Sequence, residues 1–377
     1  MSKLLLVGGA GFIGTHLARR LTREGHDVTV LDSLHPQVHG KDAEFSAELK
    51  KMAVCVKGDV RRPAALRPLL LRDHEVIYWL AAETGTGQSM YRVRRYTDTN
   101  LGALATLFDL LVKSRGPVER VVLASSRAIY GEGAYVCPSD GGVVPRARSG
   151  RHPVHGWNPG CPICGGVLIP LATPEDSPPA AGSVYGWTKL GQEQLLALLT
   201  SATGVEGRVL RLQNVYGPGQ SLRNPYTGVL VTFCSRALAG EPLVLYEDGE
   251  ITRDFVHVDD AVAALAAAGV RGQLPDGPVN IGSGVPTTIR QAAETIRELA
   301  GSSSEVTVGG QFRLGDVRHA VADISRAGEA FGFRPTVDFV EGIRRLLGWV
   351  REQDPVRDRS AATAKELASR GLLKTAP

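Results

Sequence analysis

Three side chains in this 377-residue sequence could together form a proton-transfer unit, namely Ser126, Tyr185 and Lys189. Tyr185 and Lys189 are four residues apart in a segment of helical periodicity, which predicts that they lie on one face of a helix. Ser126 follows an apolar run over residues 121–124, which predicts a buried strand with the serine hydroxyl at its end. A lysine cation lowers the pKa of a neighbouring phenol. We therefore predict that Tyr185 is a general base activated by Lys189, and that Ser126 hydrogen-bonds the reacting hydroxyl.

Tyr185 and Lys189 could also be an ordinary pair on a helix surface, so the rest of the sequence must decide. The first relevant segment is at the N-terminus. The apolar residues Leu4–Val7 predict a buried parallel strand, and Gly8, Gly11 and Gly14 follow it at a three-residue spacing ahead of a periodic helix. This order is typical of a dinucleotide-binding turn. Gly8 permits the tight turn, Gly11 lets a pyrophosphate approach the backbone, and Gly14 allows close packing of the helix.

A second predicted strand, Val28–Leu31, ends in Asp32. An acidic residue at this point can bind both ribose hydroxyls of an adenosine and repels a 2′-phosphate, so we expect NAD rather than NADP. An ordinary loop aspartate is the alternative. A positively charged nicotinamide ring would lower the pKa of Tyr185 further, and Lys189 could also hold the nicotinamide ribose.

Further cofactor contacts are expected at the carboxyl ends of the other strands, where open α/β sheets bind their ligands. Asp59 follows a short predicted strand over residues 53–56 and could contact the adenine, with a helix N-cap as the alternative. Small residues end the strand predicted over residues 76–82, and Asn100 is expected to begin a helix that runs through Val112. The predicted cofactor-binding residues are Gly8, Gly11, Phe12, Ile13, Gly14, Asp32, Asp59, Val60, Leu80, Ala81, Ala82, Asn100, Tyr185 and Lys189.

Strands alternate with helices as far as Leu212, which predicts an α/β fold with a Rossmann-like, doubly wound parallel sheet. Beyond Tyr216 the pattern becomes irregular, which indicates a smaller, mixed α/β substrate lobe. We predict an NAD-binding domain over residues 1–214 with an insert at 132–172, a substrate-binding lobe over 215–250 and 284–350, a return to the first domain over 251–283, and a C-terminal helix or tail over 351–377.

Two copies of one short turn lie in the insert, one beginning Cys-Pro-Ser-Asp-Gly and the other Cys-Pro-Ile-Cys-Gly. Paired turns of this kind are typical of a zinc ribbon, because ligands at this spacing converge on a tetrahedral ion. Such a zinc would be structural, since all its ligands come from the protein. The alternative is a decayed ribbon with free thiols. The predicted ligands are Cys137, Asp140, Cys161 and Cys164, and His152 or His155 could replace the aspartate.

Charge and cysteine usage exclude several classes of protein. The 43 basic and 39 acidic residues are spread along the chain, so we expect no nucleic-acid partner. The longest later apolar run, Ala261–Val270, is too short to span a bilayer, and the N-terminal run lacks a signal-cleavage site, so we expect a cytoplasmic protein without a membrane partner. Five cysteines, an odd number, argue against a disulfide scaffold.

Together these residues resemble the extended short-chain dehydrogenase/reductase family, specifically its NAD-dependent nucleotide-sugar epimerases and dehydratases. The resemblance covers residues 1 to about 350 and implies a tightly held NAD, a hydride drawn from a sugar ring, and a nucleoside diphosphate bound between the lobes. It also implies a homodimer that pairs two long helices, for which the helices containing residues 101–111 and 185–199 are candidates. The motifs that carry it are the glycine turn, Asp32, Asp59, Asn100, Ser126, the Tyr185–Lys189 pair, Asn214 and Arg253-Asp254-Phe255.

The resemblance also implies the substrate contacts. It assigns Asn214, Arg253 and Arg313 to the diphosphate and nucleoside, and guanidinium groups suit bidentate phosphate binding, although solvated surface arginines are the alternative. The full predicted substrate-binding set is Thr84, Ser126, Arg127, Asn214, Arg253 and Arg313.

The residues after Ser126 bear on the reaction. The related 4,6-dehydratases place an Asp-Glu pair directly after their catalytic hydroxyl residue, whereas Arg127 and Ala128 stand there in this sequence. We therefore predict 4-epimerisation through a transient 4-keto sugar. The runs 82–91, 125–133 and 213–222 resemble a bacterial subgroup that includes epimerases of dTDP-linked 6-deoxysugars, which implies a substrate of that class. The alternatives are an NAD(P)H-dependent 4-ketosugar reductase and a non-catalytic NAD-binding sensor or scaffold.

Overall fold

The computed structural model describes residues 1–113, 116–145, 147–148, 150–151, 154–224, 226, 228–270, 276–354 and 360–375. The strands are β1 Lys3–Val7, β2 Asp27–Asp32, β3 Val54–Lys57, β4 Val76–Trp79, β5 Arg120–Ser126, β6 Tyr135–Cys137, β7 Gly141–Val143, β8 Ile169–Pro170, β9 Glu206–Leu212, β10 Asn214–Tyr216, β11 Leu243–Leu245, β12 Thr252–His257, β13 Val279–Ile281, β14 Pro286–Thr288, β15 Val306–Val308, β16 Gln311–Arg313, β17 His319–Ala320 and β18 Leu373–Thr375.

The helices are α1 Phe12–Arg23, α2 Pro36–His39, α3 Ala47–Met52, α4 Pro63–Leu70, α5 Thr86–Ser89, α6 Val93–Tyr96, α7 Ala103–Lys113, α8 Val184–Thr203, α9 Val229–Leu238, α10 Val258–Val270, α11 Ile289–Ala300, α12 Ser325–Phe331, α13 Phe339–Arg351 and α14 Ser360–Ser369. A π-helical turn over Thr97–Gly102 joins α6 to α7, and a 3-10 turn over Arg127–Tyr130 follows β5. Among the residues that the structure describes, no helix is long and apolar enough to cross a membrane.

A seven-stranded parallel sheet forms the centre of the fold, in the order β13-β9-β5-β4-β1-β2-β3. Its inner strands are apolar on both faces, as buried parallel strands must be, and Leu4–Val7 are fully buried. Helices α1 and α10 cover one face, and α4, α7 and α8 cover the other. The predicted doubly wound α/β class is therefore confirmed. The chain order reverses at β1, whose neighbours are β2 and β4, and parallel sheets bind ligands at such a point.

Two predicted boundaries were wrong. The strand predicted over residues 76–82 ends at Trp79, because the chain then turns to lie against the first glycine turn. Asn100 does not begin a helix. It lies inside a helical run that starts at Val93 and continues to Lys113, because its side chain is used for contacts with other parts of the fold.

Smaller sheets surround the central one. Strands β10, β12, β14 and β17 form a four-stranded sheet, and β11 pairs with β15 beside a core shared by α9, α11 and α13. Strand β13 pairs with β9 and so completes the central sheet. The proposed domain boundaries remain a prediction. Within the segment predicted to return to the first domain, residues 251–283, β12 pairs with strands of the smaller sheet, whereas α10 packs on the central sheet and β13 belongs to it. Strands β6, β7 and β8 form a separate antiparallel sheet in the insert, and β18 pairs with β16.

Candidate active site

A cleft of about 640 Å³ opens along the carboxyl edge of the central sheet. The glycine turn after β1 and the loops after β2, β4, β5 and β9 line it, together with the first turns of α8. A cleft of this size holds a cofactor and a small substrate. Asn100 is the exception among the predicted cofactor-binding residues, since all the others line the cleft.

Two glycines of the turn after β1 lie too close to neighbouring backbone atoms to carry a side chain. Gly8 has φ of +84°, and a Cβ there would lie 2.6 Å from Ala81 N. At Gly14 a Cβ would lie 2.5 Å from the Cα of Gly9, so only glycine lets α1 pack against this turn. Gly11 is different, because the nearest atom to its Cβ position is 3.4 Å away. The chain therefore leaves room above Gly11 for a ligand at the N-terminus of α1, as a pyrophosphate requires.

Asp32 is buried at the end of β2 and links the two cofactor loops. Its Oδ2 accepts a hydrogen bond from Ala10 N at 3.0 Å, and its Oδ1 accepts one from Leu34 N at 2.9 Å. A carboxylate can accept about four hydrogen bonds, so Asp32 can still accept hydrogen bonds from the hydroxyls of a bound ribose.

Asp59 does not cap a helix. Helix α4 begins at Pro63, and Arg62 takes the N-cap position. Asp59 instead forms an ion pair with Arg61, with 2.6 Å between Arg61 Nη2 and Asp59 Oδ2, and this pairing lowers the pKa of Asp59. Both residues line the cleft.

Asn100 acts from behind the cleft wall. Its Oδ1 accepts from Glu83 N at 2.8 Å, and its Nδ2 donates to Glu83 O at 3.2 Å and to Thr188 Oγ1 at 2.9 Å. The amide therefore fastens the loop after β4 to helix α8. This is a positioning role.

Ser126, Tyr185 and Lys189 come together on the cleft wall. The side chain of Ser126 is hydrogen-bonded to Tyr185, which lowers the pKa of the phenol, but burial has the larger effect and raises that pKa. Lys189 Nζ donates to Ala124 O at 2.8 Å, and burial lowers the pKa of Lys189 to about 8, with a smaller opposing effect from Glu193. The pKa of Tyr185 is thus raised in the protein alone, and activation of Tyr185 by Lys189 stays a prediction.

Sequence reasoning missed Glu193, which lies one helical turn beyond Lys189 on α8. Glu193 is buried and accepts from Ser125 Oγ, and its Oε2 lies 2.8 Å from Arg211 Nη2. Glu193 raises the pKa of Lys189, but burial of the lysine has the larger effect and lowers it. The four-residue interval between Lys189 and Glu193 was the available signal, but nothing in the sequence indicates that Glu193 pairs with Arg211 on β9.

Three predicted substrate residues, Thr84, Ser126 and Asn214, line the cleft, whereas the arginines Arg127, Arg253 and Arg313 do not. The arginines gather instead around Asp316, next to the cleft. The distance from Arg253 Nη2 to Asp316 Oδ1 is 2.6 Å, and neighbouring arginines, Arg253 before Arg313, lower the pKa of Asp316 against the effect of burial.

One of these arginines, Arg253, is not a solvated surface charge. Arg253 is buried, and burial followed by repulsion from Arg253 lowers the pKa of Arg127 to about 10. Arg313 lies over the ring of Tyr246 at 4.8 Å. The surface alternative is therefore wrong for Arg253, and it stays open for Arg313, which is half-buried.

Helix α14 contacts Tyr226, a cleft residue that the sequence analysis did not predict. Tyr226 lines the cleft, and its hydroxyl lies 2.9 Å from Glu366 Oε2 on α14 and 2.7 Å from the hydroxyl of Tyr91. The sequence carries no signal for this contact, because the partners are 140 residues apart.

The predicted metal ligands also come together, away from the cleft. One ligand atom from each of Cys137, Asp140, Cys161 and Cys164 lies within 4.8 Å of the others. His155 is turned towards a backbone oxygen, with 2.7 Å between its Nε2 and Gly165 O. His152 lies outside the described residues.

Comparison with known proteins extends these observations. The sequence matches the family described as the NAD dependent epimerase/dehydratase family over residues 4–147 and 166–282. It is 40% identical over 354 residues to the dTDP-L-rhamnose 4-epimerase of Burkholderia thailandensis, covering 93% of this chain and 95% of that protein. It is 32% identical over 357 residues to the UDP-glucose 4-epimerase of Mycolicibacterium smegmatis, covering 93% of this chain and 99% of the relative.

Solved structures show the same fold. The crystal structure of the Thermotoga maritima UDP-glucose 4-epimerase with UDP-glucose is similar with a TM-score of 0.76 and 28% identity, over 93% of this chain and 99% of that one. The Thermus thermophilus UDP-glucose 4-epimerase in complex with NAD is similar with a TM-score of 0.72 and 27% identity, over 93% of this chain and 100% of that one.

Proposed function

The chain belongs to the NAD-dependent epimerase/dehydratase family, and from this premise we propose that it inverts C4 of a dTDP-linked 6-deoxysugar. Two of the relatives reported above are named as nucleotide-sugar 4-epimerases, and the 40% identical one is named for a dTDP-linked substrate. One observation carries the proposal. Ser126, Tyr185 and Lys189 share the cleft wall with the glycine turn.

The cleft suits NAD. The space above Gly11 and the N-terminus of α1 favour the pyrophosphate, and Asp32 favours a free ribose over a 2′-phosphate. Lys189, one turn from Tyr185, is in our proposal the residue that holds the nicotinamide ribose. When bound there, NAD would supply the acceptor, and then the donor, of the hydride exchanged with C4 of the sugar.

The protein's own part is to move a proton. Tyr185 takes the proton of the C4 hydroxyl while that hydride leaves, and gives it back when the hydride returns. Ser126, which is hydrogen-bonded to Tyr185, is proposed to orient the same C4 hydroxyl. The chemistry needs no acid–base pair at the outer carbons of the sugar, which agrees with Arg127 and Ala128 in the positions where dehydratases have acidic residues.

The substrate's diphosphate is proposed to bind beside Asp316. Arg127, Arg253 and Arg313 lie around Asp316, and a diphosphate bound there would pair with their guanidinium groups. Asn214 and Thr84 line the adjoining cleft and are proposed to contact the substrate there.

We also propose a cytoplasmic homodimer built on α7 and α8. Large apolar side chains are exposed on these helices, namely Val112 on α7 and Trp187 and Leu198 on α8. Covering them with a second copy removes apolar surface from water. Light scattering on a sizing column tests this, and a double Trp187→Glu, Leu198→Glu variant is expected to be monomeric.

The decisive experiment is incubation of purified protein with dTDP-, UDP- and GDP-sugars without added cofactor, with inversion at C4 followed by NMR. We expect inversion of a dTDP-6-deoxysugar and bound NAD in the purified protein. In a parallel incubation with added NADH and a 4-keto sugar, stoichiometric consumption of NADH, together with no inversion in the cofactor-free reaction, would establish the reductase alternative. The matched pair Tyr185→Phe and Tyr78→Phe tests the sensor alternative. Tyr78 has a buried hydroxyl without a hydrogen-bond partner among the described residues, so only the first change should abolish turnover.

A further inference from the structure

Away from the cleft, we propose that the insert holds one structural zinc ion, bound by Cys137, Asp140, Cys161 and Cys164. This inference is independent of the proposed function. The four ligand atoms all lie within 4.8 Å of one another. Asp140 Oδ2 lies 3.2 Å from Cys137 Sγ and 3.1 Å from Cys161 Sγ, and Cys137 Sγ lies 3.6 Å from Cys164 Sγ. Zn–S bonds of about 2.3 Å place the ligands of a tetrahedral site roughly 3.3–3.8 Å apart.

The two ligand pairs lie on matching backbone turns. The first turn joins β6 to β7, where Cys137 pairs with Gly141, and the second is closed by the antiparallel bridge between Gly160 and Val167. In each turn the glycine four residues after the first cysteine has a left-handed backbone, with φ of +78° at Gly141 and +73° at Gly165. Two hairpins therefore present their ligands to one point from opposite sides.

The backbone of the second turn is arranged for a thiolate. The N–H of Ile163 points at Cys161 Sγ at 3.5 Å, and Gly165 N donates to Cys161 O at 2.9 Å. Amide donors to sulfur stabilise the negative charge that a metal-bound cysteine carries. A disulfide does not explain the cluster, because all five cysteines are free thiols and three of them meet here.

Zinc is the ion that the donors favour. Three thiolates and one carboxylate in tetrahedral geometry select a soft, four-coordinate metal over magnesium or calcium. All four positions are filled by the protein, so no site remains open for catalysis.

The insert needs such a link for its stability. Among its described residues, the buried apolar cluster of the insert consists of Tyr135, Cys137, Cys161 and Leu168, while Ile163 and other apolar side chains are exposed. A unit of about 40 residues with so small a core usually depends on disulfides or a metal. Metal binding would supply this missing folding free energy.

The family fold does not require the site. The match to the family is interrupted between residues 147 and 166, and Cys161 and Cys164 lie inside that interruption. The site therefore belongs to the insert of this chain.

The zinc would also fix the contact between insert and substrate lobe. Arg148 lies between the two turns in sequence, and its guanidinium pairs with Glu132 at 2.9 Å and with Glu247 at 2.8 Å. Its Nη2 also lies 3.3 Å from Asp316 O, beside the arginines proposed to bind the diphosphate. If the proposed function holds, loss of metal will raise KM more than it lowers kcat.

The test is metal analysis of the purified full chain, followed by replacement of zinc with cobalt. We expect one zinc per chain, and a cobalt form with thiolate-to-metal charge-transfer bands. Cys161→Ser is expected to weaken metal affinity at least about tenfold. Cys55→Ser, a partly exposed cysteine outside the cluster, serves as the matched control and should leave affinity unchanged.

Asp140→Cys keeps the test decisive if the serine variant fails to fold. A fourth thiolate should preserve metal binding and strengthen the cobalt charge-transfer bands. Zinc content far below one per chain together with no cobalt spectrum would overturn the proposal. So would a cobalt spectrum that is the same in the wild type and in Asp140→Cys. None of these readouts depends on catalysis, so they stay informative whatever the substrate.

Discussion

Replacing Lys189 by methionine should make the protein more stable and less active. Burial lowers the pKa of Lys189 from an ordinary 10.5 to about 8. At about 1.4 kcal/mol for each tenfold change in proton affinity, the charged lysine costs the folded state about 3 kcal/mol. Methionine has similar length and no charge, and it gives up only the hydrogen bond to Ala124 O, worth about 0.5–1.5 kcal/mol. We expect Lys189→Met to raise the free energy of unfolding by about 1.5–2.5 kcal/mol at pH 7.

The pH dependence gives the sign of the effect. Below pH 8 Lys189 is charged in both the folded and unfolded chain, so the wild type carries the full cost. Between pH 8 and 10.5 the folded lysine is neutral while the unfolded one still binds a proton, so the cost falls, and above 10.5 it is absent. The advantage of the methionine variant should therefore shrink as the pH rises from 8 to 10.5.

Urea unfolding of NAD-free protein at several pH values measures this difference, and NMR of the sugar substrate measures turnover. We expect kcat to fall about 100-fold or more in Lys189→Met. Lys113→Met removes an exposed lysine at the end of α7 and should change neither quantity. A methionine variant less stable than the wild type at pH 7, or an advantage that grows with pH, would refute the burial argument.

Three further changes test other parts of the site. Tyr185→Phe should lower kcat at least about 100-fold without changing NAD content, measured on nucleotide released by denaturation, and loss of NAD would contradict a purely proton-transfer role. Gly8→Ala puts a Cβ 2.6 Å from Ala81 N at a φ of +84°, so the purified protein should lose NAD, and full retention would show that the turn tolerates a side chain. Asp254→Ala removes the acceptor of Ser283 N at 2.6 Å and of other buried donors, and should cost at least about 3 kcal/mol in urea unfolding, whereas a cost below about 1 kcal/mol would show that water replaces the carboxylate.

The central sheet was predictable because its signal is local. Leu4–Val7 and the run at 121–124 are apolar at every position, which few structures other than a buried parallel strand explain, and the structure extends them only to Lys3–Val7 and Arg120–Ser126. The glycine spacing was equally local. Asn100 failed for the opposite reason. Asparagine is common at helix starts, but here its amide holds Glu83 and Thr188, which are 17 and 88 residues away.

The electrostatics of the site could not be predicted from spacing. The four-residue interval correctly put Tyr185 and Lys189 on one helix, but the pKa of each depends on burial by distant segments. The arginines show the same limit. Arg253 and Asp316 are 63 residues apart, and only the folded chain shows that they form an ion pair at 2.6 Å.

The pKa of Tyr185 connects these findings. In the protein alone burial holds the phenol in its neutral form, and the single hydrogen bond from Ser126 does not offset this. Lys189, with a pKa of about 8, is still mostly charged at neutral pH, but it is bound to Ala124 O. Tyr185 therefore needs a second positive charge beside it before it can act as a base, and oxidised NAD carries one. In the proposed reaction the phenol of Tyr185 would hold its proton again once that positive charge is lost, so one residue would serve as base and then as acid according to the charge next to it.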